Sequence, residues 1–217
     1  MNVALNRAKT GGKASLPHRR LAQYRRRYRA LVTEGMGLHP APGYGSLRWP
    51  HFRRTQHLAS VDAYVRLAES EGGSVVTGGQ QLRGEGYDGG NFYPPTIITG
   101  LSNSSRTCQE EIFGPVLVAM PFDHDDDLIN QANDSIYGLA CGIWTQDYKR
   151  AWSTARRIDA GTAWINTYKL LSSAAPFGGT KQSGLGREKG RTWIREYMTQ
   201  KSMYWGTNSS PIQWSDL

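Results

Sequence analysis

The segment GLACGIWTQDYKRAWSTARRIDAGTAWINT, residues 138–167, decides the fold class of this chain. Its two apolar ends, 138–145 and 161–167, predict strands, and the part between them, 147–159, predicts a helix. The side of this helix expected to pack against other elements carries Tyr148, Trp152, Ala155 and Ile158. Strand–helix–strand alternation is typical of an α/β fold, in which helices cover a sheet.

The same alternation continues on both sides of this segment. The pattern predicts helices at 54–71, in the Asp-rich stretch HDDDLINQANDS, and at about 187–199, and strands at 74–79, 92–101, 115–122 and 202–205. The strand at 115–122 is apolar throughout, which indicates that it is buried in a sheet. Pro94 and Pro95 should keep their end of a strand away from the centre of a sheet.

A glycine-rich stretch, PFGGTKQSGLGREKG at 176–190, follows the last strand of the opening segment. It matches neither a Walker A loop nor a dinucleotide fingerprint, because the spacing of its glycines and of Lys181 is wrong for both. Phe177 and Lys181 would be unusual in a simple flexible linker. We therefore predict a loop with specific contacts, in which glycine permits close backbone approach while Pro176 and Phe177 line a surface.

Charge is distributed unevenly over the 217 residues. The net charge is +8, but residues 1–54 carry 12 Lys and Arg with one acid, whereas residues 55–217 carry 14 Lys and Arg with 17 acids. The chain therefore reads as a basic head on a mildly acidic body. No apolar run is long enough for a membrane span, and there is no apolar secretory signal. Two cysteines give no disulfide framework, so we expect a cytoplasmic protein without a metal site.

The basic head, residues 1–50, lacks a clear pattern beyond a short helix at about Leu21–Val32. Three interpretations are open: a nucleic-acid or membrane arm, an organelle transit peptide, or a poorly folded segment from an altered reading frame. We favour the last. The predicted organisation is a basic segment at 1–50, an α/β body at 51–200, and a strand with a tail at 201–217.

Two motifs in the body resemble the aldehyde dehydrogenase superfamily. QEEIFGPVL at 109–117 and the stretch at 176–190 match the family in order, and the shorter VVTGG, FYPPTII, YGLACGIWT and GTAWINTY stretches lie between or around them. The resemblance covers about residues 51–206 and implies that residues 51–200 correspond to a C-terminal, partial catalytic domain of the family's α/β fold. It implies oxidation of an aldehyde to a carboxylic acid: a cysteine thiolate attacks the carbonyl, hydride passes to NAD or NADP, and water hydrolyses the thioester.

The resemblance also assigns roles to particular residues. Glu111 matches the glutamate that binds the ribose hydroxyls on the nicotinamide side, and Phe113 matches the aromatic beside the nicotinamide. Phe177 matches an aromatic of the aldehyde channel, Gly114-Pro115 shape the turn, and Ser202–Trp205 match a strand that adds to a neighbouring subunit of a homo-oligomer. Outside the resemblance, both aromatics could be ordinary core residues. Glu110 is expected to be a solvated or structural carboxylate, and Lys181 could simply bind carbonyls in its own loop.

The family's nucleophile motif has no counterpart in this chain. It belongs about a hundred residues before Glu111, where this sequence has no cysteine, and Cys108 and Cys141 lie in no such motif. The Rossmann half that the resemblance implies has no counterpart in this sequence either. We therefore assign no catalytic residue and expect the isolated chain to be inactive as a dehydrogenase. The alternative is a non-catalytic protein that joins full-length dehydrogenase subunits, or that binds polyanions through its basic N-terminus. We do not favour a nucleic-acid or membrane partner.

Overall fold

The computed structural model of the chain describes residues 2–5, 52–84 and 86–207. Three helices of at least nine residues, a single helical turn, eight strands and one 3-10 helix follow one another in these ranges. They are β1 (Asn2–Leu5), α1 (Thr55–Ser70), β2 (Ser74–Thr77), β3 (Thr96–Thr99), α2 (Arg106–Gln109), β4 (Val116–Ala119), α3 (Asp125–Asn133), β5 (Tyr137–Gly138), β6 (Ala140–Trp144), α4 (Tyr148–Arg157), β7 (Thr162–Ile165), β8 (Thr180–Lys181) and the 3-10 helix (Trp193–Tyr197). None of these helices has the length and apolar character needed to cross a membrane.

The strands form three small sheets. The first has the order β2-β3-β4, with β2 antiparallel and β4 parallel to the central β3. The second has the order β1-β6-β7 and is entirely parallel. β5 and β8 form a separate antiparallel pair. In the parallel pairs β3-β4 and β6-β7 the connections carry α2 and α4, respectively, which confirms the α/β class that residues 138–167 predict.

Helix α1 follows the predicted periodicity closely. Its buried positions are Leu58, Val61, Val65 and Ala68, which recur at intervals of three or four residues. This face joins Tyr93 and Ile98 in the first hydrophobic core. The helix ends just before Gly72, whose φ of 91° is a conformation that glycine adopts without penalty. The sequence therefore predicted both the extent and the orientation of α1.

The face of α4 is only partly as predicted. Ala151 and Thr154 are buried, with Ile158 just beyond the helix, but Tyr148 and Trp152 are exposed. The expectation that both aromatics pack inward is wrong, because the buried side of this short helix is formed by the smaller residues Ala151 and Thr154. Ion pairs of Arg150 with Asp125 and Arg157 with Asp126 join α4 to α3 instead.

Other expectations fail where an element lacks a neighbour. The predicted helix at 187–199 is one 3-10 turn without a buried side chain, and such a short isolated helix is marginal. Residues 202–205 form no strand, because no described strand pairs with them. The strand at 115–122 shortens to β4, which is half-buried at the edge of its sheet. Conversely, β1 lies in the basic segment, where no strand was predicted; the helix predicted at Leu21–Val32 lies outside the described residues.

Candidate functional site

The segment Glu110–Gly114, which we call the cofactor turn, connects α2 to the strand β4. Phe113 lies in the left-handed region with a φ of 50°. The following residue must be glycine, since a Cβ on Gly114 would lie 2.6 Å from a methyl group of Val61. Just after the turn, the carbonyl of Pro115 accepts a hydrogen bond of 2.7 Å from the amide of Thr96 in β3. The turn is thus attached to the first core.

The two side chains assigned to the cofactor point away from that core. Glu111 is exposed, and no described residue forms a hydrogen bond or ion pair with its carboxylate. The ring of Phe113 is 71% exposed, so it is not an ordinary core aromatic. A carboxylate that offers both oxygens, beside an exposed ring face, suits a ligand with hydroxyls next to a flat ring.

Glu110 has a structural role, as the sequence predicted. One of its carboxylate oxygens accepts a hydrogen bond from the Arg106 guanidinium and the other from the Tyr64 hydroxyl, both at 2.6 Å. The hydrogen bonds from Arg106 and Tyr64 lower the pKa of Glu110, because they favour the ionised carboxylate. The same contact raises the pKa of the Tyr64 phenol. The carboxylate of Glu110 is therefore occupied within the protein.

Phe177 lies in a second loop, residues 176–190. Its amide and carbonyl exchange hydrogen bonds of 2.7 and 2.8 Å with Glu188, so the loop folds back on itself. The ring is half-buried. A Cβ on Gly161 would lie 1.7 Å from the carbonyl oxygen of Gly178, which confirms that glycine serves close backbone approach here. No hydrogen bond or ring contact among the described residues joins Phe177 to Glu111 or Phe113.

Lys181 binds carbonyl groups, although not those of its own loop. Its Nζ donates to the carbonyls of Asn133 at 2.7 Å and Ser135 at 3.0 Å, and lies 3.4 Å from a carboxylate oxygen of Asp159. These contacts connect the glycine-rich loop to the end of α3. Lys181 therefore binds carbonyl groups as expected, but the expectation that they belong to its own loop is wrong.

Neither cysteine lies in a setting that favours a thiolate. Cys141 is buried in β6, and burial raises the pKa of its thiol to about 11. Cys108 is half-buried in α2, where burial also raises the pKa of its thiol, partly offset by a hydrogen bond from the Ser105 hydroxyl. Reactive cysteines need a lowered pKa and access to solvent. This supports the assignment of no catalytic residue to either thiol.

With this geometry in view, comparison with known proteins identifies the chain. The family model for "Aldehyde dehydrogenase family" matches residues 31–203. The chain belongs to the aldehyde dehydrogenase family. The match begins twenty residues before the predicted start at 51, so it includes part of the basic segment. It ends three residues before the predicted end at 206.

Curated relatives and solved structures agree with this assignment. A betaine aldehyde dehydrogenase of Bacillus subtilis (strain 168) is 39% identical over 159 residues, which are 73% of this chain and 32% of the relative. An aldehyde dehydrogenase of Deinococcus radiodurans is 42% identical over 69% of this chain and 29% of its own length. The crystal structure of Staphylococcus aureus betaine aldehyde dehydrogenase in complex with NAD+ has a TM-score of 0.76 at 32% identity, covering 89% of this chain and 39% of the other.

The chain spans about a third of the length of the curated dehydrogenases that it matches. Within that third, the family assignment and the α/β fold are those that the two motifs predicted. The domain boundaries at 50 and 200 remain predictions.

Sequence reasoning missed His57 as a residue in contact with the cofactor turn. Its Nε2 lies 2.7 Å from the carbonyl oxygen of Phe113, and its ring packs against Phe52. The hydrogen bond from the Tyr64 hydroxyl to Glu110 was missed as well. No signal in the sequence marks His57, because a polar residue on the outer side of a predicted helix is ordinary. Tyr64 could have been suspected, since its hydroxyl needs a partner near the core.

Proposed function

We propose that this chain supplies part of the cofactor and substrate surface of an NAD(P)-dependent aldehyde dehydrogenase, an oxidoreductase that converts an aldehyde to a carboxylic acid. In this proposal Glu111 accepts hydrogen bonds from ribose hydroxyls, Phe113 contacts the nicotinamide ring, and Phe177 lines the aldehyde channel. The observation that carries the proposal is the cofactor turn, which is attached to the core yet presents an unpaired carboxylate beside an exposed ring.

The residues present fit such a cofactor. A carboxylate can accept two hydroxyl hydrogen bonds at once, and Glu111 has both oxygens free of described partners. Phe113 offers an apolar face beside it, where a flat ring can pack. The bound cofactor would accept the hydride. Similar dehydrogenases of Staphylococcus aureus and Bacillus cereus are known in complex with NAD+, which supports the choice of a nicotinamide dinucleotide.

We further propose that the chain by itself does not oxidise aldehydes. The family reaction begins with attack of a thiolate on the aldehyde carbonyl. Burial raises the pKa of both thiols of this chain, which disfavours the thiolate, and Cys141 is also inaccessible. The chain would therefore bind and orient a cofactor without performing the covalent step.

The test combines an activity assay with a binding titration on the purified chain. We expect no reduction of NAD+ or NADP+ with betaine aldehyde or simple aliphatic aldehydes, but a rise in NADH fluorescence on binding. Glu111→Gln should weaken NADH binding by about three- to tenfold, as expected for loss of one or two hydrogen bonds to a charged group. Glu69→Gln, an exposed carboxylate of α1 remote from the turn, is the matched control.

Each outcome bears on a separate part of the proposal. Turnover of an aldehyde by the pure chain would contradict its inactivity. Failure of the chain to bind NADH, or equal weakening by the Glu111 and Glu69 variants, would contradict the cofactor role of the turn.

A second function is favoured by the C-terminal part of the chain. Met203, Tyr204 and Trp205 are 83–96% exposed and belong to no described sheet. We propose that Ser202–Trp205 pairs with a sheet edge of a second copy, or of a longer dehydrogenase subunit. Strand addition would satisfy their backbone groups and cover the three apolar side chains.

A further inference from the structure

The cofactor turn raises the question of what holds it in place, since the side chains of Glu111 and Phe113 have no described partner. Helix α1 meets the turn at three points, through His57, Val61 and Tyr64. These residues are four and three positions apart, so they lie along one face of the helix. We call them the anchoring face.

The first contact is a hydrogen bond from His57 to the backbone of Phe113. A carbonyl oxygen can only accept, so Nε2 of His57 carries the hydrogen that closes the 2.7 Å contact. The imidazole ring is itself held by Phe52, whose ring centroid is 4.4 Å away. A non-glycine residue with a φ of 50° needs support from its surroundings, and this bond provides it at Phe113.

The second contact is between backbone and a buried side chain. Gly114 lies so close to Val61 that a Cβ would be 2.6–2.8 Å from both methyl groups. Val61 is fully buried and cannot move aside without disturbing the core. The backbone is therefore held on the C-terminal side of Phe113 as well.

The third contact controls the direction of Glu111. Tyr64 and Arg106 occupy the two carboxylate oxygens of Glu110 and draw that side chain toward α1. The backbone of Glu110 is extended, with φ −99° and ψ 157°. Successive side chains of an extended backbone point to opposite sides. Holding Glu110 inward thus turns Glu111 outward.

We propose that the anchoring face of α1 positions the cofactor turn, with His57 and Tyr64 as positioning residues for Phe113 and Glu111. The identity of the ligand rests on the proposed function, but the positioning itself does not. His57 fixes where the ring of Phe113 stands, and Tyr64 fixes where the carboxylate of Glu111 stands. Neither touches the cofactor; each acts through its neighbour in the turn.

The experiment measures backbone order and ligand binding on the full chain. His57→Ala removes the donor, His57→Gln restores an N–H of similar reach, and Gln56→Ala is the control on the adjacent exposed position. Tyr64→Phe removes only the hydroxyl. Its control is Tyr93→Phe, which removes a hydroxyl bonded to a carboxylate outside the turn, that of Asp62 in α1. The readouts are ¹⁵N order parameters of the amides of residues 111–113 and the Kd for NADH.

In His57→Ala and Tyr64→Phe we expect the order parameters of the turn to fall from about 0.85 toward 0.6, with those of α1 and β3 unchanged. NADH binding should weaken by about three- to tenfold. His57→Gln should recover both values, and the two control variants should resemble the unaltered chain.

The two proposals can fail separately. If the turn stays ordered in His57→Ala and Tyr64→Phe, or if the control variants loosen it equally, the anchoring face does not position it. If the turn loosens as expected but the unaltered chain binds no NADH, positioning stands and the cofactor role fails. A loss of order throughout α1 would indicate a general structural role and would also contradict the proposal.

Discussion

Glu110 and Glu111 show how adjacent residues of one type acquire different roles. Both are carboxylates in the same motif, yet Glu110 is bonded to Arg106 and Tyr64 while Glu111 faces solvent. The difference comes from the extended backbone between them, which sends one side chain toward α1 and the other away. The structural role of Glu110 is confirmed, and the cofactor role of Glu111 remains a prediction.

The pKa of Cys141 predicts its reactivity. Burial raises the thiol pKa from its ordinary value of 9.0 to about 11, so at pH 8 the thiolate population is about a hundredfold lower than in an exposed cysteine. Because thiolate is the attacking form, alkylation by iodoacetamide at pH 8 should be at least about a hundredfold slower than in the urea-unfolded chain. Peptide mass spectrometry measures the label at each cysteine.

Cys108 provides an internal comparison in the same experiment. It is half-buried where Cys141 is buried, and burial raises its pKa, so it should label faster than Cys141 but slower than in the unfolded chain. Equal labelling of both cysteines at the unfolded rate would show that neither thiol is protected in the native chain. It would also remove the physical basis for proposing an inactive chain.

Elements were predicted well where the sequence pattern and the packing partner lie in the same stretch of chain. Helix α1 has the expected bounds because its apolar face meets β3 and Tyr93 directly. The helix predicted at 187–199 reduces to Trp193–Tyr197, since periodicity indicates which face is apolar but not whether anything covers it. The prediction that the two aromatics of α4 are buried is wrong for a related reason. An aromatic side chain on a helix is not necessarily buried.

The cofactor turn was predicted by its motif rather than by any rule of periodicity. Phe113 of the turn has a left-handed backbone conformation, and its carbonyl contacts His57, which lies 56 positions earlier in the chain. Local propensity contains no information about such a pair. The motif therefore predicts which residues would contact a ligand, whereas only the structure shows which residues hold the turn in place.

The contact of the glycine-rich loop with Gly161 predicts a stability change at the level of elements. In Gly161→Ala the new Cβ would lie 1.7 Å from the Gly178 carbonyl oxygen, so the loop or the start of β7 must move. Overpacking of this kind costs about 1–3 kcal/mol, and urea unfolding followed by circular dichroism should show it. Gly89→Ala, where nothing lies within 4 Å, should change the free energy of unfolding by less than about 0.5 kcal/mol.

On the scale of the whole molecule, burial is concentrated between Phe52 and Trp164. Both hydrophobic clusters lie within this range, whereas large apolar side chains after it are mainly exposed. They include Leu170, Leu171, Leu185, Ile194, Tyr197, Met198, Met203, Tyr204 and Trp205. Monomeric proteins rarely expose so many large apolar side chains along one part of the chain. A surface of this kind favours contact with another polypeptide.

If Ser202–Trp205 adds a strand to the sheet of another copy, the chain should associate, and its mass in solution measures this association. The chain of 24.2 kDa should show a concentration-dependent mass above that of one copy in light scattering after size exclusion. Tyr204→Pro removes a backbone N–H that a ladder needs and should return the mass to one copy. Tyr204→Thr keeps the N–H and suits a strand, so it should still associate. A single-copy mass for the unaltered chain at all concentrations, or equal loss in both variants, would mean that backbone pairing at 202–205 does not drive association.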